Sequence, residues 1–183
     1  MLRGSLVSMN TNALQIRSIL NEPALLPDLA EVLVDCVEGG ASVSFMWPLS
    51  YADALAFWQA AMDSAARGER ILLIAQDAAG QLQGTVQVLL NLPENQPHRG
   101  DLAKMLVHRR ARRSGVGAAL VQAAEQAALE AGRTLLVLDT VTGGDAERLY
   151  QRLRWQRVGE IPGYALWPRG GLCSTTYYYK TLR

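Results

Sequence analysis

The segment RRSGVG, Arg112 to Gly117, places two arginines next to two glycines that are one residue apart. Those residue types suit the holding of an anion. Gly115 and Gly117 let the backbone come close to a ligand. A helix starting there offers unsatisfied N–H groups and the positive end of its dipole to phosphate oxygens. Arg112 and Arg113 add charge-assisted contacts. Arg99, Lys104, Arg109 and Arg110 gather around the same turn in a chain whose formal net charge is only +1, so its positive charge is a local property. The G-K-[ST] ending of a nucleoside-triphosphate loop is missing, and two glycines do not make a GxGxxG dinucleotide turn. A plainer account stands beside the anion site: the glycines permit a tight strand-to-helix junction and the arginines face solvent.

Asp101 and Asp139 stand at the start and the end of two strand patterns, and carboxylates are a residue type able to do acid–base work. Two acidic groups favour a small molecule bearing an amine, and nothing in the sequence indicates the sugar cleft that a glycosidase pair would need. Asp139 has a second reading, in which it orients the following loop VTGGDAE through Thr140 and Thr142. His108 directly follows a strand pattern, where a loop or surface histidine is at least as natural as a base. His98 and His108 lie ten residues apart with no cysteine nearby, so no metal site is expected. Cys36 and Cys173 form neither a metal pattern nor a disulfide framework, which points to a reducing cytoplasm. The basic cluster lacks the aromatic interleaving of a nucleic-acid module, so no nucleic-acid partner is expected.

These residues need a scaffold. At 183 residues, 49% hydrophobic and 19% charged, the chain fits one globular domain. Residues 1–12 read as a flexible leader and 13–183 as the domain. No secretory h-region is evident, and the apolar run from Thr134 to Asp139 is too short to span a bilayer. Strands are expected at Ala13–Leu20, Arg70–Asp77, Gln81–Leu90, Asp101–Val107, Thr134–Asp139, Arg157–Glu160 and Thr175–Leu182. Helices are expected at Pro27–Glu38, from Ser50 as N-cap to about Arg67, at Gly115–Glu130 and at Ala146–Leu153. Asn91–Gly100 reads as a loop. The alternation predicts an α/β fold, a mixed twisted sheet flanked by helices. Phe45, Met46, Trp47, Tyr164 and Trp167 are candidates for the wall of a pocket.

The run from Arg112 to Gly117, between a strand and a helix, resembles the acetyl-CoA loop Q/R-x-x-G-x-G/A of the GCN5-related N-acetyltransferase (GNAT) superfamily. Within it, Gly39–Met46, Arg99–Val107, Leu135–Thr140 and Arg157–Tyr164 are similar, in order, to enzymes of the tabtoxin-resistance type. This resemblance implies transfer of an acetyl group from acetyl-CoA, as co-substrate, to a small-molecule amine, with antibiotic resistance as an associated role. It implies coenzyme contacts at Met105, Leu106, Val107, Arg112, Arg113, Ser114, Gly115, Val116, Gly117 and Ala118. The strand ending at Met105–Val107 is expected to splay, with the Val107 N–H as a donor to the reacting carbonyl. Tyr150 is expected near the coenzyme sulfur, its alternative being a residue packed between helix and sheet. Asp101 and Asp139 are implicated in acceptor binding or amine deprotonation, with Phe45, Tyr164 and Trp167 beside them. Asp101 stands where the resembling enzymes carry Glu, so its shorter reach calls for a water or a shifted acceptor. A non-catalytic acyl-CoA sensor and a structural protein remain the other readings, with monomer and homodimer both open.

Overall fold

The computed structural model describes residues 14–183; the expected leader and the start of the first expected strand lie outside them. Seven strands form one sheet in the order β1-β2-β3-β4-β5-β7-β6. They are β1 (Gln15–Ile19), β2 (Arg70–Gln76), β3 (Leu82–Leu89), β4 (Arg99–Val107), β5 (Leu135–Val141), β6 (Gln156–Leu166) and β7 (Leu172–Thr181). Only the central β4–β5 pair is parallel, so the mixed α/β architecture is as expected.

The helices are α1 (Leu26–Glu38), α2 (Tyr51–Ala66), α3 (Val116–Glu130) and α4 (Asp145–Arg152). On α1, Leu29, Ala30, Leu33 and Val37 recur at helical spacing and are buried. Ser50 caps α2 by accepting the Asp53 N–H at 3.0 Å. Helices α1 and α2 bury Trp58, Met62, Leu72 and Ile74 on one face of the sheet. Helices α3 and α4 bury Val86, Leu120, Leu136 and Tyr178 on the other.

Strands β4 and β5 pair only where Arg99–Asp101 meets Leu135–Val137, and beyond that point they run on unpaired. A bulge accompanies the parting. Leu106 lies opposite Thr85 and Ala103 opposite Gln87, so Lys104 and Met105 together face Val86. Lys104 takes the extra turn with φ at +49°.

Several boundaries differ from the sequence expectation. Strand β4 begins at Arg99, inside the expected loop, and β7 begins at Leu172. Strand β6 runs eleven residues rather than stopping at Glu160. It is an exposed edge strand, so it shows no inward–outward alternation, and its register irregularities near Gly159 and Pro162 absorb residues that read as strand breakers.

Candidate active site

The turn ahead of α3 is built from left-handed backbone. Arg113 has φ +62° and Gly115 φ +90°. Six successive amides, Arg113 to Ala118, donate to no group among the described residues; Ala119 is the first to find a carbonyl, Gly115 O at 3.1 Å. Exposed amides at a helix start form a cradle for an anion. The Ser114 hydroxyl is turned back to Ala111 O at 2.6 Å, and the Val116 side chain is buried in the core, so neither side chain is offered to an anion. Gly117 lets α3 approach β4: a Cβ there would come within 3.2 Å of Leu149 and 3.7 Å of Met105 and Val107.

From this turn a cleft of about 910 Å³ runs through the parting of β4 and β5. Of the residues that the resemblance assigns to coenzyme contact, Met105, Leu106, Val107, Arg112, Arg113, Gly115, Gly117 and Ala118 line it. Leu106 does so by its backbone, since its side chain is buried among α1 and α2. The His108 N–H donates to Gln83 O at 2.9 Å, toward β3. By the alternation of extended backbone, the N–H and C=O of Val107 therefore face the open side.

Asp139, Tyr150, Phe45, Tyr164 and Trp167 also line the cleft. Asp139 accepts a hydrogen bond from the Thr175 hydroxyl on β7 at 2.9 Å. The loop after it is held instead by Glu147, which takes the Gly143 N–H at 2.5 Å. The Tyr150 ring packs against Trp155 and Tyr178, with centroids at 5.7 and 6.3 Å. Its hydroxyl has no partner among the described residues. Burial, and then the charge of Asp139, raise its pKa well above the usual phenol value. The packing role and the cleft position thus coincide in one residue.

Asp101 is not brought to the cleft wall. It forms an ion pair with Arg99, two residues earlier on β4, because both side chains lie on the same side of the strand. Its charge is still felt nearby: hydrogen bonding with Tyr164, then burial, then the charges of Asp139 and Asp101 push the Tyr177 hydroxyl up to about 12. His108 points away from the cleft, toward Glu31 at 3.4 Å and Asp35 at 3.5 Å, and its Nδ1 accepts the Arg110 N–H at 3.2 Å. Burial pushes the Cys36 thiol up to about 11, which leaves it inert.

Several wall residues carried no sequence signal of their own. Arg148 and Arg152 on α4 reach the same cleft as Arg112 and Arg113. Ser42 donates to Leu166 O at 2.8 Å and the Trp47 N–H to Pro168 O at 2.8 Å, fastening the α1–α2 loop to the β6–β7 turn. Lys104 also lines the cleft, although in the sequence it looks like one more member of the basic cluster.

A phosphate-type cradle at the start of α3 and two parted central strands meet in one cleft, and the model of the acetyltransferase (GNAT) family matches residues 27–154. The chain belongs to this family. Among solved structures, a GCN5-related N-acetyltransferase from Kribbella flavida is 25% identical with TM-score 0.77, covering 93% of this chain and 98% of that one. A phosphinothricin acetyltransferase from Sinorhizobium meliloti, in complex with AcCoA, is 17% identical with TM-score 0.76, covering 94% and 89%. A Salmonella typhimurium protein solved with its cofactor acetyl-CoA is 18% identical with TM-score 0.73, covering 94% and 95%. Among the described residues of this GNAT chain, no helix is long and apolar enough to cross a membrane, and no group of three or more His, Cys, Asp or Glu could hold a metal ion.

Proposed function

We propose that the protein transfers the acetyl group of acetyl-CoA to the amine of a small molecule by direct attack. The observation that carries this reading is the run of six free amides, Arg113 to Ala118, opening into the gap between β4 and β5. Those amides, with Arg112, Arg113, Arg148 and Arg152, supply hydrogen-bond donors and positive charge suited to a coenzyme diphosphate, and two solved relatives of the fold carry acetyl-CoA. Bound there, acetyl-CoA supplies an acetyl group activated as a thioester.

The residues of this chain do the rest. The backbone of Met105 and Val107 holds the carrier arm along the open strand edge, and the Val107 N–H donates to the carbonyl oxygen as charge builds on it. Asp139 takes a proton from the acceptor ammonium, directly or through a water, and frees the nitrogen lone pair. A C–N bond forms and the C–S bond breaks. The Tyr150 hydroxyl, kept protonated by its raised pKa, gives its proton to the departing sulfur and recovers one from the acceptor nitrogen. Of the two protons the ammonium loses, one leaves with the thiol and one through Asp139. Holding both reactants in one cleft removes the need for a covalent enzyme nucleophile.

Phe45, Tyr164 and Trp167 wall the acceptor end, and Asp101 acts from behind the wall through its charge. The likeness to enzymes of the tabtoxin-resistance type supports an amino-acid-like metabolite or toxin as acceptor and a resistance role; the free Cys36 and Cys173 support a cytoplasmic setting, with monomer and homodimer both open. The test is a panel of amines with acetyl-CoA, followed by free-thiol release and product mass. Asp139→Asn is expected to lower kcat about 100-fold with coenzyme affinity retained. Coenzyme binding without thiol release on any amine would mark an acyl-CoA sensor; no binding would point to a structural protein.

A further inference from the structure

Lys104 is one of only two lysines in the chain, against sixteen arginines. It projects from the β4 bulge to the acceptor side of the cleft. There its ammonium meets the Ser44 hydroxyl at 3.1 Å and stands 5.9 Å from the centroid of the Phe57 ring. It makes no ion pair among the described residues. Asp139, on the same cleft wall, likewise has a hydroxyl partner and no cation.

The neighbouring charges are already engaged. Arg70 donates to Ser64 at 2.9 Å and Gln87 at 2.7 Å, and Arg99 is paired with Asp101. Among the described residues, Lys104 and Asp139 therefore share the cleft with hydroxyl partners and no ion pair. Burial lowers the pKa of Lys104, the charge of Asp139 opposes that, and Arg70 adds to it. A partly desolvated charge with no counter-ion is costly, and a ligand of opposite charge relieves that cost.

The backbone supports the same reading. Four non-glycine residues of the described chain have positive φ, and three of them, Ser44, Lys104 and Arg113, line the cleft. Ser44 (φ +76°) and Lys104 (φ +49°) are hydrogen-bonded to each other across it. Left-handed backbone at two side-chain-bearing residues costs free energy, and such strain gathers at ligand sites. Here it accompanies an ammonium and a hydroxyl held together on the cleft wall.

We infer that Lys104 is the anchor for a carboxylate of the acceptor, so that the protein selects amines bearing a carboxylate near the reacting nitrogen, the amine on Asp139 and the carboxylate on Lys104 and Ser44. This rests on the acetyl-transfer reading above and adds to it a specificity-determining residue and the ligand group that it binds.

The experiment compares amino acids with their decarboxylated amines as acceptors: phenylalanine with phenethylamine, histidine with histamine, ornithine with putrescine. Each pair is measured with wild-type protein, Lys104→Met and Lys104→Arg, at saturating acetyl-CoA. The expected result is a wild-type preference in kcat/KM for the amino acid. Lys104→Met should reduce that preference on the order of 30-fold, the worth of a charged hydrogen bond, mainly through KM. Lys104→Arg should restore part of it. A wild type that favours the decarboxylated amines, or a Lys104→Met variant that loses both members of a pair equally, would overturn the anchor and leave acetyl transfer standing. A wild type that binds acetyl-CoA and acetylates neither series would overturn both.

Discussion

The Tyr150 ring rests on Trp155 and Tyr178, so deleting the hydroxyl alone leaves that packing in place. Tyr150→Phe is therefore expected to lower kcat roughly 10- to 100-fold, with the KM for acetyl-CoA and the melting temperature nearly unchanged. Wild-type turnover in that variant would remove its role as the acid. Asp101 and Asp139 read alike in the sequence but separate in the fold, one tied to Arg99 and the other open to the cleft. Asp139→Ala is expected to cost at least ten times more kcat than Asp101→Ala, on the general acid–base scale; equal losses would move the proton acceptor to β4's start. Resemblance, rather than residue pattern, brought forward Tyr150 and the two aspartates. Lys104 was not singled out, because a lysine among arginines looks like surface charge until its counter-ion is sought in three dimensions.

Glycines make the turn between β4 and α3 legible, because each marks a place where a side chain is strained or crowded. At Gly117 a β-branched side chain would press on Leu149 and, through Met105 and Val107, on the open strand edge. Gly117→Val is expected to weaken acetyl-CoA binding by at least about tenfold in calorimetry, by the cost of overpacking a fitted site. Unaltered affinity would place the coenzyme elsewhere. The helices and most strand positions were readable from apolar spacing and caps. The parting of β4 from β5 was not readable from residue pattern: the bulge that accompanies it falls on Lys104 and Met105, neither a residue that announces a break. The length of β6 escaped for a different reason, since an exposed edge has no buried face to impose a period of two.

Across the molecule, one buried carboxylate on each helical layer ties it to the rest of the fold, Asp35 to the turn after β4 and Glu147 to β7. Asp35 on α1 accepts the Arg109 N–H at 2.8 Å and its guanidinium at 2.7 Å. Glu147 on α4 accepts the Tyr178 hydroxyl at 2.8 Å as well as the Gly143 amide. Burial alone would raise both pKa values, but these hydrogen bonds prevail and hold both below their ordinary values of 3.8 and 4.5. The unfolded chain then binds more protons than the folded one across that acidic range, so their contribution is complete above the ordinary values and is lost as pH falls through the lowered ones. Urea midpoints should be level above about pH 5.5 and decline below about pH 4. An increase in stability on acidification would contradict this. The narrow seam between Arg99–Asp101 and Leu135–Val137 has a mechanical meaning too. With so little ladder joining the two halves of the sheet directly, a molecule lodged in the gap becomes a cross-brace between them, and its departure leaves the halves joined by that short ladder and by side-chain packing. Saturation with acetyl-CoA should accordingly slow amide exchange on both lips of the seam, well beyond the groups it touches.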